Sequence, residues 1–273
     1  MVQGQVVDTS AASEFYGRVL QHANTLELSR IGAALERKSA AMRALAGDDP
    51  AAMDSDSLRE LLGWVFCTRR KVNRIFAIIE PGELAAGIGD LLSGPGGIAE
   101  RYERFAGLLA ELPSGIADDL PGELLHFLQP GRYWLWTRWM WDPTAETGAL
   151  ALVTTEETDL GLGASPGETY LAVGQAVAFV TETGKAAGFT DLGNGLFGTD
   201  VFLAAVYAVY LQTVLSMRMT QEFTKMLPDL PELVRRLLGV HYPLREPAPK
   251  EPAPKEPAPD EPQAPTEDPD RKA

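Results

Sequence analysis

Apolar residues recur at helical spacing along most of the chain up to about residue 240. Phe15, Val19, Ala23 and Leu26 keep a three-to-four-residue period that predicts one long first helix from Phe15 to about Leu45, with Asp8, Thr9 and Ser10 offering caps. Ser57-Leu58-Arg59-Glu60 has the capping-box pattern. Leu58, Leu61, Leu62, Val65, Val72, Phe76 and Ile79 then predict a second continuous helix, stopped by Pro81-Gly82. A short helix over 83–92 meets the breaker Gly94-Pro95-Gly96-Gly97, and Ile98, Tyr102, Phe105, Leu109 and Leu112 form the buried stripe of the next one. Ser165-Pro166-Gly167-Glu168 sets an N-cap, an N1 proline and an N3 glutamate in order. Thr199 can cap a long helix to about Met226, and Pro231 opens a last one ending at Gly239.

The pattern changes in two places. In Tyr133-Trp134-Leu135-Trp136-Thr137-Arg138-Trp139-Met140-Trp141 four of the five tryptophans fall together, and the turn-rich stretch 142–148 separates this run from Ala149-Leu150-Ala151-Leu152-Val153. A small β-hairpin insertion over 133–153 is predicted. Read as a strand, the run puts Tyr133, Leu135, Thr137, Trp139 and Trp141 on a core face and Trp134, Trp136, Arg138 and Met140 on a contact face. From Pro243 onward Glu-Pro-Ala-Pro units predict a disordered, polyproline-leaning tail. The expected fold is all-α: a single multi-helix domain over 8–242 with the hairpin insertion, followed by the tail over 243–273.

Charge narrows the partners. The net charge is −14, and the five basic and eight acidic side chains of 244–273 account for only −3 of it, so the body itself is acidic. Such a field repels phosphate backbones and makes nucleic acid an unlikely partner, with one local exception in Arg69, Arg70, Lys71 and Arg74. Cys67 is the sole cysteine, which excludes an internal disulfide and any multi-thiolate zinc site and points to a reducing compartment. Residues 1–10 show no secretory signal, and Val201–Met217, interrupted by Gln212, Thr213 and Ser216, reads as a core helix rather than a membrane span. The protein is expected in the cytoplasm, with no cofactor and no metal. Residue patterns do not give its oligomeric state.

Candidate chemistry is sparse. Gly193-Asn194-Gly195-Leu196-Phe197-Gly198 matches a dinucleotide-binding glycine pattern, but the preceding segment reads as helix, so a plain interhelical loop is expected. Glu123 and His126 have the Glu-x-x-His spacing of carboxylate metal bundles. Neither His22 nor His241 supplies the second copy, and a hydrogen-bonded helix histidine is expected instead. Asp118-Asp119 and Glu156-Glu157 read as caps and loops, and Cys67 as core. No catalytic set emerges. The binding candidates are Trp134, Trp136, Arg138, Asp142 and His126, because buried aromatics and arginine dominate interface energetics.

Leu112-Pro113-Ser114-Gly115-Ile116-Ala117, followed by Leu124-Leu125, Pro130 and Trp134-Leu135-Trp136-Thr137-Arg138, resembles a degenerate helix-hairpin-helix DNA glycosylase pattern over about residues 112–138. Where that family carries its catalytic aspartate this chain has Leu135 or Trp136, and Asp118 and Asp119 stand where the hairpin would face phosphate. The resemblance thus implies an irregular helical fold without glycosylase catalysis. Residues 123–153 also resemble uncharacterised actinobacterial proteins, some encoded near hydrogenase genes. Together these readings predict a non-catalytic accessory protein that binds a protein partner, assisting a larger redox enzyme. The alternatives are an enzyme or binding protein for a small anionic ligand in a Trp-lined pocket, and a glycosylase-like nucleic-acid-binding protein.

Overall fold

A computed structural model of the chain describes residues 6–188, 195–218 and 228–240. The tail over 243–273, His241, the continuation of the long helix toward Met226 and the first two residues of the glycine pattern, Gly193 and Asn194, lie outside these residues. The helices are α1 (Thr9–His22), α2 (Thr25–Ala46), α3 (Ser55–Trp64), α4 (Val72–Phe76), α5 (Pro81–Ser93), α6 (Ile98–Leu108), α7 (Ser114–Ala117), α8 (Leu120–Leu128), α9 (Pro166–Ala187), α10 (Gly198–Arg218) and α11 (Leu230–Leu237). No strand occurs among the described residues, and the helical fold class stands.

The centre of the molecule is α8. Its sequence, Leu-Pro-Gly-Glu-Leu-Leu-His-Phe-Leu, is apolar on every side, and every residue from Leu120 to Leu128 is buried. Helices α2, α5, α6 and α7 pack on it. The pair α6 and α9 lies beside it, and α10 joins α1, α2, α9 and α11. The first half of α10 is fully inside, with Val201, Leu203, Ala204, Ala205, Val206 and Ala208 at 0% exposure. By length and composition Gly195–Met217 is the one stretch among the described residues apolar enough to cross a membrane, and half of its most apolar window is buried in the protein.

Three sequence expectations are corrected. The predicted single first helix is two helices, because Asn24 leaves helical geometry and caps α2: its side chain accepts from the N–H of Glu27, and Glu27 reaches back to the N–H of Asn24. The helix predicted from Ser57 to Ile79 ends at Trp64. There the N–H groups of Phe66 and Cys67 turn to the carboxylate of Glu123 at 3.2 and 3.4 Å, and the Thr68 hydroxyl donates to the Leu62 carbonyl at 2.6 Å. The basic cluster accordingly lies on the irregular link and α4 rather than along one helix face.

The β-hairpin is absent. An isolated bridge between Asp142 and Thr147, with bonds from the N–H groups of Ala149 and Leu150 to the carbonyls of Trp139 and Met140, closes the stretch without forming strands. Residues 133–137 belong to no helix or strand, and helix side chains take bonds that a neighbouring strand would make. His126 Nδ1 lies 2.9 Å from the Tyr133 carbonyl, and the Tyr170 hydroxyl donates to the Trp134 carbonyl. A turn closed by bonds from Met140 and Trp141 to the Thr137 carbonyl then ends the two-residue period. The predicted division of faces fails for that reason: Trp136 and Met140 are buried along with Tyr133, Leu135 and Trp141, while Trp139 is half-buried against Tyr207.

Candidate functional site

Burying α8 forces a solution on its two ionisable side chains, since an uncompensated charge inside a protein is prohibitively costly. Glu123 receives the Lys38 ammonium at 3.1 Å as well as the two N–H groups that break the α3 helix. Lys38, itself fully buried on α2, also donates to the Leu238 carbonyl and sits 3.8 Å from the centre of the Phe127 ring. One turn further along, His126 Nε2 meets the Asp200 carboxylate at 3.0 Å, at the start of α10. Both partners of this imidazole are acceptors, and a neutral ring has one N–H to give. Burial alone would lower the pKa of His126, but the Asp200 charge and the two hydrogen bonds outweigh it and raise it. With both nitrogens committed, His126 is a structural clamp rather than a free base.

On this frame the aromatic segment builds a stack. Trp134 lies on Tyr170 at 4.7 Å between ring centres, Tyr170 on Tyr102 at 4.7 Å, and Tyr102 on Trp136 at 5.6 Å. The small residues Gly174 and Gly122 permit the approach. A Cβ on Gly174 would overlap the Trp134 indole, and one on Gly122 the carbonyl of Trp136.

Two clefts open at the ends of this stack, and the five predicted binding residues divide between them. The first, about 510 Å³, is lined by His126, Trp134, Arg132, Thr181, Lys185 and the start of α10. The second, about 380 Å³, lies among α6, α7, the start of α9 and the 136–144 segment, and takes Trp136, Arg138 and Asp142 together with Tyr102 and Asp118. His126 therefore does not join the other polar candidates. Arg138 is held by Asp119, which accepts from its backbone N–H at 2.9 Å and from two guanidinium nitrogens at 3.3 Å. Burial nevertheless pushes the Asp119 carboxyl up, with Arg138 pulling it back. Asp118 is also raised, by burial first and by the charge of Asp142, against the pull of Arg138.

Tyr102 is the residue that sequence reasoning missed. It is 1% exposed, and its hydroxyl has no hydrogen-bond partner among the described residues, although its ring lines the second cleft. Its helical spacing marked it only as core. The available signal was its phenol, since a tyrosine inside a stripe of aliphatic residues must place a hydroxyl somewhere.

Comparison with known protein families, with curated proteins and with solved structures finds no match to this chain. Chemistry must then be read from geometry alone. Among the described residues no group of His, Cys, Asp and Glu could hold a metal ion, and Glu123 and His126 are each committed elsewhere. Cys67 is buried, and burial followed by the Glu123 charge raises its thiol pKa well above the ordinary value, which disfavours the thiolate. Of the basic cluster, Arg70, Lys71 and Arg74 are exposed, while Arg69 is half-buried over the Phe66 ring at 4.8 Å.

Proposed function

We propose that this chain is a binding protein that holds a small organic molecule in the cleft lined by Tyr102 and Trp136, acting by capture rather than turnover. The observation that carries this reading is the Tyr102 hydroxyl. A buried hydroxyl left without a partner costs about 1–3 kcal/mol, and this one belongs to a residue that lines a cleft, whose other lining is aromatic or small side chains with a few polar and charged groups. Ligand sites have that composition. An accessory role beside a larger enzyme is compatible with it. The aromatic run itself offers a protein partner little surface, because Tyr133, Leu135, Trp136, Met140 and Trp141 are all buried.

The test is a fragment titration of protein labelled at the indole nitrogens. Trp136 lines the cleft, and Trp64, at the end of α3, serves as an internal control. Fragments that move the Trp136 resonance and leave that of Trp64 in place support the reading. A chemically mixed set of cations, anions and neutral molecules with no such member overturns it.

A further inference from the structure

The chemical class of the ligand rests on the cleft being a ligand site, and charge decides it. Of the residues lining the cleft, Arg138 is the only basic one among those described, and Asp119 already neutralises it in a two-pronged pair. The carboxylates of Asp118 and Asp142 also line the cleft, and no second cation stands against them there. The described bonds to the Asp142 carboxylate come from the N–H groups of Thr144 and Ala145, which fix its position without cancelling its charge. Burial first, then Tyr170, and after them the charges of Asp119, Asp118 and Glu103 hold the Tyr102 phenol well above its ordinary pKa. An anion entering would meet two carboxylates and a guanidinium already satisfied. A cation would meet two carboxylates in a cleft that Tyr102, with its unpartnered hydroxyl, also lines.

We infer that the cleft takes a protonated primary or secondary amine with an apolar body. Its ammonium group lies between Asp118 and Asp142, and its carbon skeleton lies along Trp136, Ala106, Leu112 and Pro166. An ammonium with N–H bonds suits the site better than a quaternary one, because both carboxylates are acceptors and charge-assisted hydrogen bonds are the strong ones. The remaining lining is mostly apolar, with the hydroxyl residues Ser114, Thr144 and Thr169, which suits an alkyl or aryl body in a cleft of about 380 Å³.

Three probes of one shape and different charge test it at pH 7: 2-phenylethylamine, 2-phenylethanol and phenylacetate, each titrated against the Trp136 indole resonance. The amine should bind roughly tenfold or more tightly than the alcohol, as one charge-assisted hydrogen bond provides, and phenylacetate should bind more weakly than the alcohol. Asp118→Asn combined with Asp142→Asn should remove the preference for the amine and spare the alcohol, since asparagine at 142 can still accept from Thr144. If the alcohol or the acid binds as well as the amine, the inference falls while the ligand cleft stands. If no alkyl or aryl amine moves Trp136 but neutral fragments do, the outcome is the same. If nothing moves Trp136, both the inference and the proposed function fall.

Discussion

Gly174 shows how one missing methyl group can fix an arrangement. Replacing a helix-interior glycine with alanine ordinarily stabilises a helix by about 0.5–1 kcal/mol. Here a Cβ would overlap the Trp134 indole, which in turn is stacked on Tyr170 and donates its N–H to the Tyr170 carbonyl at 2.9 Å. Gly174→Ala should therefore reverse the usual sign and destabilise by roughly 1–3 kcal/mol, as overpacking does, with urea denaturation as the measurement. A stabilised variant would show that the indole is free to move aside. Lys38 makes the companion case for charge. Lys38→Met leaves Glu123 buried with only two N–H donors and should cost about 3–5 kcal/mol. Adding Glu123→Gln, which keeps an oxygen for those donors, should recover a large part of the loss. If the double variant is no more stable than Lys38→Met alone, the cost is packing rather than unpaired charge.

At the level of elements, the second charged pair ties α8 to α10, and pH can loosen it. Because the pKa of His126 is raised in the folded protein, its contribution is complete below the unfolded value of about 6.5 and drains as pH rises through the folded value. The stability gap between the natural protein and His126→Gln should be largest near pH 6 and narrower at pH 9, read from urea midpoints. A gap that widens with pH would mean that burial outweighs Asp200 and lowers the folded pKa of His126. These ties also mark the limit of what the sequence disclosed. The starts of α9 and α11 were legible because Ser165-Pro166-Gly167-Glu168 and the proline after Leu230 are local signals. So was the burial of α6 by its stripe. The ends of α3 and the course of 133–141 were not, because Glu123, His126 and Tyr170 act on them from far along the chain. The clefts were half-legible: Trp136, Arg138 and Asp142 share one, but nothing local placed His126 in the other or brought Tyr102 beside them.

Over the whole molecule the net charge of −14 should hold duplex DNA binding to a non-specific level. That means no tighter than about 10⁻⁴–10⁻⁶ M at physiological salt, measured by fluorescence anisotropy, with the exposed Arg70, Lys71 and Arg74 too few to reverse it. Sub-micromolar binding would revive the glycosylase-like reading. The break after Trp64 carries a different consequence, one of timing. Residues 55–79 have the spacing of an uninterrupted helix, and the groups that interrupt it sit on a glutamate 56 and 57 positions later in the chain. A chain emerging from the ribosome has no Glu123 when these residues first appear, so they are free to run straight through as helix. Any helix formed there must then unwind into the native link when α8 arrives. A synthetic peptide of residues 55–79 should accordingly show helical chemical shifts across 65–71, a conformation that the finished protein forbids.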